Sequence, residues 1–309
     1  MSDHERIITV NGLVKKYGDF TAVNGIAFDV YKGEVFGVLG PNGAGKTTTL
    51  EMLVGLRKPD GGSADIGGFD VVRELKKVKE VIGVQLQSTT LFELLTVEEI
   101  LHLYASFYKK QIPIHPLIED MLLTDKTKSR IKSLSGGQKQ RLAIALALVH
   151  DPLIIFLDEP TTGLDPQARR TLWDIIFNLK EKGVTVVLTT HYMDEAHVLC
   201  DRIAIMDQGN LIALDTPAEL VRSLHSENAV EFRFEGEAAE MDFYEIEDVK
   251  QVGGQKDATI LYTDNLQATL TSLIQTAADR GLKLADLQIR TATLEDVFIH
   301  MTGRRLRES

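Results

Sequence analysis

Gly40-Pro-Asn-Gly-Ala-Gly-Lys-Thr47 is the stretch that decides the fold. It fits the spacing G-x-x-x-x-G-K-[ST], with a β-branched run at 35–39 before it and a helical run at 48–53 after it, as that spacing demands. Glycines let successive backbone N–H groups converge on phosphate oxygens, and the N-terminus of the next helix adds the positive end of its dipole. Gly40, Pro41, Asn42, Gly43, Ala44, Gly45 and Thr48 then form the wrap. Lys46 reaches the β and γ phosphates of a nucleoside triphosphate, and Thr47 offers a hydroxyl to Mg²⁺. A loop of this composition standing alone could be a glycine-rich turn with an exposed lysine; the strand and helix around it argue for the cradle.

Outward from this loop the chain reads as an α/β core. β-rich segments at 7–10, 27–31, 35–39 and 81–86 fill the first part, with Gly61-Gly62-Ser63 read as a turn inside that core. From about 91 the β signal gives way to helical pieces. Thr96-Val-Glu-Glu99 is a capping-box signature that opens a run to Tyr108, and Pro113 and Pro116 interrupt the helical pattern beyond it. Strands return at 153–157, 184–189 and 202–206, so a helical insertion of about 91–150 sits within a first domain of 1–217. Residues 218–309 change texture. Alternation at 230–234 and 283–290, a β-rich 259–262, and Leu266, Leu270, Leu273, Ile274 and Ala277 at helical spacing predict a small α+β domain. Its last helix has Thr293 as N-cap, Leu294, Val297, Phe298 and Met301 on one face, and Gly303 as a stop.

Composition excludes several classes of function. With 309 residues, 44% of them hydrophobic, the chain can bury two cores and is neither disordered nor a disulfide-stapled mini-protein. Thirty-four basic against 45 acidic residues leave a net charge of −11, which argues against nucleic acid as the main partner. The single cysteine, Cys200, cannot form an intrachain disulfide, in keeping with a reducing compartment. No apolar run approaches the roughly 18 residues of a spanning helix, and residues 1–6 lack a secretory leader pattern. The expected location is the cytoplasm or the cytoplasmic face of a membrane.

Two further stretches carry chemistry. Leu153-Ile-Ile-Phe-Leu-Asp158 is an apolar run ending in a carboxylate, the form of a buried parallel strand that delivers an acid to its carboxyl edge. Asp158 there can hold Mg²⁺ through water, and Glu159 is placed to take a proton from water attacking a γ phosphate. An Asp-Glu pair alone reads as surface capping; the phosphate loop upstream decides against that. In Leu134-Ser-Gly-Gly-Gln-Lys-Gln-Arg141, Ser135, Gly136 and Gly137 open a helix at 138–149 whose N-terminus, beginning at Gln138, can receive a second anion.

This last motif, lying between the phosphate loop and the acidic strand, resembles the signature of the nucleotide-binding subunits of ATP-binding-cassette (ABC) transporters. The resemblance runs over 7–217 and implies a P-loop NTPase core of ABC type, with an antiparallel β subdomain and a helical insertion, that hydrolyses ATP to power transport. It implies that Ser135 and its glycines meet the γ phosphate of ATP held by a second copy, so that the working unit is a head-to-tail homodimer. By the same resemblance Tyr17 stacks on adenine, although alone it reads as a core residue. Gln87 contacts Mg²⁺ and the attacking water and reports to the transmembrane partner, with Gln85 a competitor for that role. Thr162-Gly-Leu-Asp165 crosses the dimer interface, and His191 bonds the γ phosphate. The stretch from Phe36 to Thr48, Thr293-Leu-Glu-Asp-Val-Phe298 and Thr302-Gly-Arg304 resemble the ATPase subunits of ABC-2 type exporters, including the daunorubicin-resistance branch. A separately encoded transmembrane permease is the implied partner. The other reading, a soluble ABC ATPase acting as a mechanical switch on ribosomes or DNA, expects a second cassette or an inserted coiled coil, and the chain has one cassette and no sustained heptads. The appended domain could pair with its equivalent in the second copy, regulate closure, or cover a sheet edge.

Overall fold

The computed structural model describes residues 5–87, 91–224, 228–234, 242–255 and 258–302. Strands β1 (Arg6–Tyr17) and β2 (Phe20–Tyr31) form an antiparallel hairpin that ends with Tyr17 opposite Phe20. Both are longer than the segments at 7–10 and 27–31, because repeated register shifts break the alternation that marks a strand in sequence. β3 (Val35–Leu39) is buried throughout and feeds α1 (Lys46–Leu53). Gly61-Gly62-Ser63 is not a turn. It opens β4 (Gly61–Ile66), which pairs with β1 across a further register shift between Asn11 and Val14. β5 (Phe69–Asp70) completes a four-stranded sheet in the order β2-β1-β4-β5.

After α2 (Leu75–Val81) and β6 (Ile82–Gln85) the chain enters its helical insertion: α3 (Val97–Ala105), α4 (Ile114–Asp120) and α5 (Gly136–Leu148). The capping box at Thr96 forms as its sequence requires, with Thr96 Oγ1 accepting from the Glu99 N–H at 3.2 Å and Glu99 Oε2 from the Thr96 N–H at 2.7 Å. α3 stops at Ala105, short of Tyr108, whose ring stacks on His150 with centroids 3.9 Å apart. Pro113 and Pro116 begin a helix rather than only breaking one: Pro113 is the N-cap of α4 and Pro116 fits its first turn, where a missing N–H costs nothing. α5 starts at Gly136, ahead of the expected 138, because Ser135 and Gln138 close a second capping box.

β7 (Ile154–Asp158), α6 (Pro166–Glu181), β8 (Thr185–Thr190), α7 (Met193–Leu199), β9 (Arg202–Asp207) and β10 (Asn210–Asp215) finish the core. The large sheet runs β10-β9-β3-β8-β7-β6, and β9, β3, β8, β7 and β6 are parallel. Every residue of β3, β7 and β8 is buried, as expected of parallel strands covered on both faces. Their carboxyl ends lie on one edge, where α/β sheets bind ligands. Cys200 packs so tightly on β3 that a Cβ at Gly37 would lie 2.6 Å from its Sγ. Burial pushes its thiol pKa well up.

The chain divides into two compact units, Met1–Ile212 and Ala213–Ser309, a boundary ahead of the one expected at 217. The second holds α8 (Pro217–Arg222), β11 (Asn228–Phe234), β12 (Val249–Gln255), β13 (Ala258–Thr263), α9 (Leu266–Asp279), β14 (Leu284–Thr291) and α10 (Leu294–Thr302). Its antiparallel sheet, β12-β13-β11-β14, packs on α9 through Val230, Phe232, Ile246, Leu261 and Leu273. Asp296, 1% exposed, locks α10 to the sheet: it accepts from Tyr262 Oη at 2.9 Å, from Arg290 and from the Thr293 N–H at 2.8 Å. Gly303 and Arg304 lie outside the described residues. No helix among the described residues is long and apolar enough to cross a membrane.

Candidate active site and its relatives

β3 delivers Gly40 to the sheet edge, and Gly45 turns the chain into α1 with φ 102°. Both positions require glycine: a Cβ at Gly40 would lie 2.2 Å from the Met206 carbonyl, and one at Gly45 would lie 2.5 Å from the Ala22 carbonyl. The loop is fastened on each side, by the Gly40 N–H to Thr190 O at 3.3 Å and the Gly209 N–H to Ala44 O at 3.0 Å. Asn42 and Gly43 form its exposed crest. Lys46, 4% exposed, folds back across the loop, donates to Gly40 O at 2.9 Å and to Pro41 O at 3.2 Å, and pairs with Glu159 Oε1 at 3.2 Å. Burial lowers its pKa, and Glu159 works against that shift.

β7 ends in the two acids. Asp158 Oδ1 accepts from Thr189 Oγ1 at 2.6 Å and from Thr47 Oγ1 at 3.1 Å. Burial pushes the Asp158 carboxyl up, against those two hydroxyls. Glu159 takes a left-handed backbone, φ 46°, held by its N–H donating to Thr189 Oγ1 at 3.0 Å. A non-glycine residue in that region stores on the order of 1–3 kcal/mol of strain, which here aims the side chain back at the phosphate loop. Glu159 Oε2 accepts from Gln87 Nε2 and from Thr162 Oγ1, both at 3.3 Å. Its Oε1 lies 3.3 Å from His191 Nδ1, a close contact without hydrogen-bond alignment. Burial alone would raise the Glu159 carboxyl, but Lys46 and then His191 outweigh it and hold the pKa below the usual glutamate value. The group is therefore an ionised acceptor at neutral pH.

The structure thus gathers Lys46, Thr47, Asp158, Glu159, Gln87 and His191 from the ends of three parallel strands, β6, β7 and β8, and the helix after β3. It separates the two glutamines. Gln85 is 2% exposed and donates to Leu86 O, whereas Gln87, past the strand end, reaches Glu159. Tyr17 is not core: its ring is 41% exposed, with the Arg57 guanidinium and the Lys15 ammonium each 5.6 Å from its centroid. Ser135 spends its acceptor on its own helix, and Asp165 caps α6 through the Ala168 N–H at 2.8 Å. Gly136 is exposed, Gly137 and Thr48 half-buried. Sequence reasoning missed Thr189, which positions both acids, and gave Thr162 only as part of the interface loop, not as a partner of Glu159. The one signal available was polar residues closing an otherwise apolar strand.

A hard oxygen pair, the Thr47 hydroxyl and the Asp158 carboxylate, faces the loop, and the described residues contain no group of three His, Cys, Asp or Glu able to cage a metal. Such a pair suits a cation that keeps its waters and leans on substrate phosphates.

The family described as ABC transporter matches residues 23–162. The linearmycin resistance ATP-binding protein LnrL of Bacillus subtilis strain 168 is 35% identical, over 98% of this chain and 100% of that protein. The daunorubicin resistance ATP-binding protein DrrA3 of Streptomyces coeruleorubidus is 37% identical over 98% of each chain. A solved dimeric ATP-binding cassette in a post-hydrolysis state, bound to ADP and Pi, aligns with a TM-score of 0.61 and 27% identity over 68% of this chain and 98% of that one. With likeness extending from the phosphate loop through the appended domain, the chain belongs to the ABC transporter family, as an ATP-binding subunit that stands with the ABC-2 type exporter ATPases.

Proposed function

We propose that two copies of this chain close head to tail on two ATP molecules, hydrolyse them, and so drive a separately encoded permease that exports a compound from the cytoplasmic face of the membrane. The observation that carries this reading is Glu159: ionised, strained, and held between Lys46, His191 and Gln87. An ATP γ phosphate entering the loop competes with Glu159 for Lys46, which frees the carboxylate to accept a proton from the attacking water. Gln87 orients that water, and His191 turns from Glu159 to the γ phosphate. Thr47 and Asp158, with Gln87 beside them, would hold Mg²⁺, which when bound neutralises phosphate charge. The Tyr17 ring, exposed at the end of β1, offers adenine a stacking face.

Ser135, Gly136, Gly137 and Gln138 form the tip of α5, with Ser135 and Gly136 exposed and Gly137 and Gln138 half-buried. They serve the γ phosphate bound by the other copy, as Asp165 serves the interface. Each charge-assisted contact contributes about 1.5–3 kcal/mol, so ATP holds the dimer closed and phosphate loss opens it. An apolar cavity of about 270 Å³, lined by Val54, Leu56, Tyr104, Tyr108, Leu146 and Ala147, lies between the end of α1 and the helical insertion and suits an apolar segment of the permease. Scattering with and without ATP tests the reading. ATP-dependent pairing is expected, and solitary copies hydrolysing ATP at full rate would overturn it.

A further inference from the structure

Behind the acids lies a buried carboxyl with no part in the hydrolytic steps proposed for Glu159. Glu195, on α7, is 0% exposed, and its Oε1 accepts from the indole N–H of Trp173 at 3.2 Å. No lysine or arginine among the described residues pairs with it at ion-pair distance; Arg169 acts on it only at longer range, its guanidinium lying over the Tyr192 ring. Two hydroxyls face the carboxyl, from Thr190 and Thr161. Thr190 directly precedes His191 and already accepts the Tyr192 N–H at 3.0 Å, so its own hydrogen is left to donate. Thr161 is 0% exposed and lies between Glu159 and Thr162, on the loop that leads from the acids to Asp165.

The pairing is incomplete. Glu195 Oε2 and Thr161 Oγ1 are both buried without a hydrogen bond of proper geometry. Burial pushes the Glu195 carboxyl up, and the Thr190 and Thr161 hydroxyls and the Trp173 indole work against it. A buried acceptor and a buried donor that face each other unpaired are unstable apart, so a small displacement of the Glu159–Asp165 loop that joined them would be favoured. This loop and the His191 turn are the two segments that must be set together for water attack.

We infer that Glu195 is a positioning residue for hydrolysis, tying the loop that carries Glu159, through Thr161, to the turn that carries His191, through Thr190, with Trp173 fixing its orientation. The inference rests on the hydrolytic reading of Glu159. The Thr161–Glu195 contact closes when both segments reach their catalytic placement, so it acts on turnover rather than on nucleotide affinity. The Trp173 indole bonds the carboxylate and two hydroxyls face it, so the closed arrangement would bring three donors to its two oxygens, which an amide, with one oxygen and an NH₂, cannot replace.

The test uses the full chain and its only tryptophan, Trp173, as an internal reporter. Thr161→Val keeps the shape and removes the hydroxyl, and Thr161→Ser keeps the hydroxyl. For Thr161→Val, kcat is expected to fall roughly 5- to 30-fold with ATP affinity unchanged, and Thr161→Ser is expected to recover most of the loss. Trp173 emission is expected to respond to ATP in the wild type and to lose that response in Thr161→Val. Glu195→Gln is expected to lower kcat similarly, and combining it with Thr161→Val to add little further. Wild-type kcat in Thr161→Val, or a serine variant no better than valine, overturns the inference, as does an affinity loss that matches the kcat loss. Glu159→Gln run alongside separates the two readings: if it is inactive while Thr161→Val is unimpaired, only the role of Glu195 falls; if it too is unimpaired, the hydrolytic reading falls.

Discussion

Replacing Glu159 by glutamine should separate chemistry from binding. The substitution keeps the size of the side chain and one acceptor oxygen but removes the charge that Lys46, at 3.2 Å, and His191, at 3.3 Å, hold in place. Loss of a general base lowers turnover by about 10²- to 10⁴-fold, or about 2.7–5.4 kcal/mol at 1.36 kcal/mol per tenfold. A second effect comes from Lys46, which is 4% exposed and would lose its counter-ion while keeping the Gly40 and Pro41 carbonyls. Leaving that ammonium partly unpaired should cost the nucleotide-free protein about 1–3 kcal/mol, and ATP, whose phosphates restore the opposite charge, should return it. Two assays read this: single-turnover hydrolysis, and thermal midpoints with and without ATP. The expected pattern is slow turnover, a lower midpoint without ATP, and a larger ATP-induced rise than in the wild type. Unchanged turnover would refute the role of Glu159. A midpoint that does not respond to ATP more strongly than in the wild type would refute the exchange of partners at Lys46.

Lys46→Ala removes the cation from the phosphate site in the ground state, so ATP affinity should fall with no compensating change in the fold, as titration with a fluorescent ATP analogue would report. Thr96→Ala removes the capping box of α3 and should cost about 0.5–2 kcal/mol, seen as faster hydrogen exchange in α3 and not in β7. In the appended unit, Arg290→Met strands the Asp296 carboxylate, 1% exposed, and should cost about 3–5 kcal/mol, read by urea unfolding. Burial raises the Asp296 carboxyl, but the Arg290 hydrogen bond, with the Thr293 N–H and Arg290 charge behind it, holds it below its ordinary value. Its contribution to stability is therefore complete above the unfolded carboxylate pKa of about 3.9 and is lost as pH falls through the lower folded value. Protection of α10 should fall over that acid range in the wild type and show no such fall in Asp296→Asn.

How much of the fold was legible in the sequence depended on how local each cause is. The phosphate loop, the apolar run into Asp158 and the capping box at Thr96 depend on residues within a turn of one another, and each stands where its spacing placed it. β12 escaped because Val249-Lys-Gln-Val-Gly-Gly-Gln255 is a sheet-edge strand with a glycine pair and little apolar alternation. β4, an inner strand, escaped because its opening glycines are matched to a bulge in β1 rather than to a turn. Thr189 reads as an ordinary polar residue in sequence, and Thr162 only as the start of the interface loop. Their part in the site exists only once β7 and β8 pair and bring Asp158 opposite Thr189. Gln85 and Gln87 were separable only by where β6 ends.

The buried thiol of Cys200 has a practical consequence. It is the only native sulfhydryl, it is 6% exposed, and its raised pKa keeps it protonated, so it is inert toward maleimides and disulfide exchange. The unaltered chain is therefore a silent background for site-directed labelling. Cysteines introduced at exposed Asn42 in one copy and exposed Ser135 in another would report subunit proximity as a covalent band on a gel, with no native residue to be removed first.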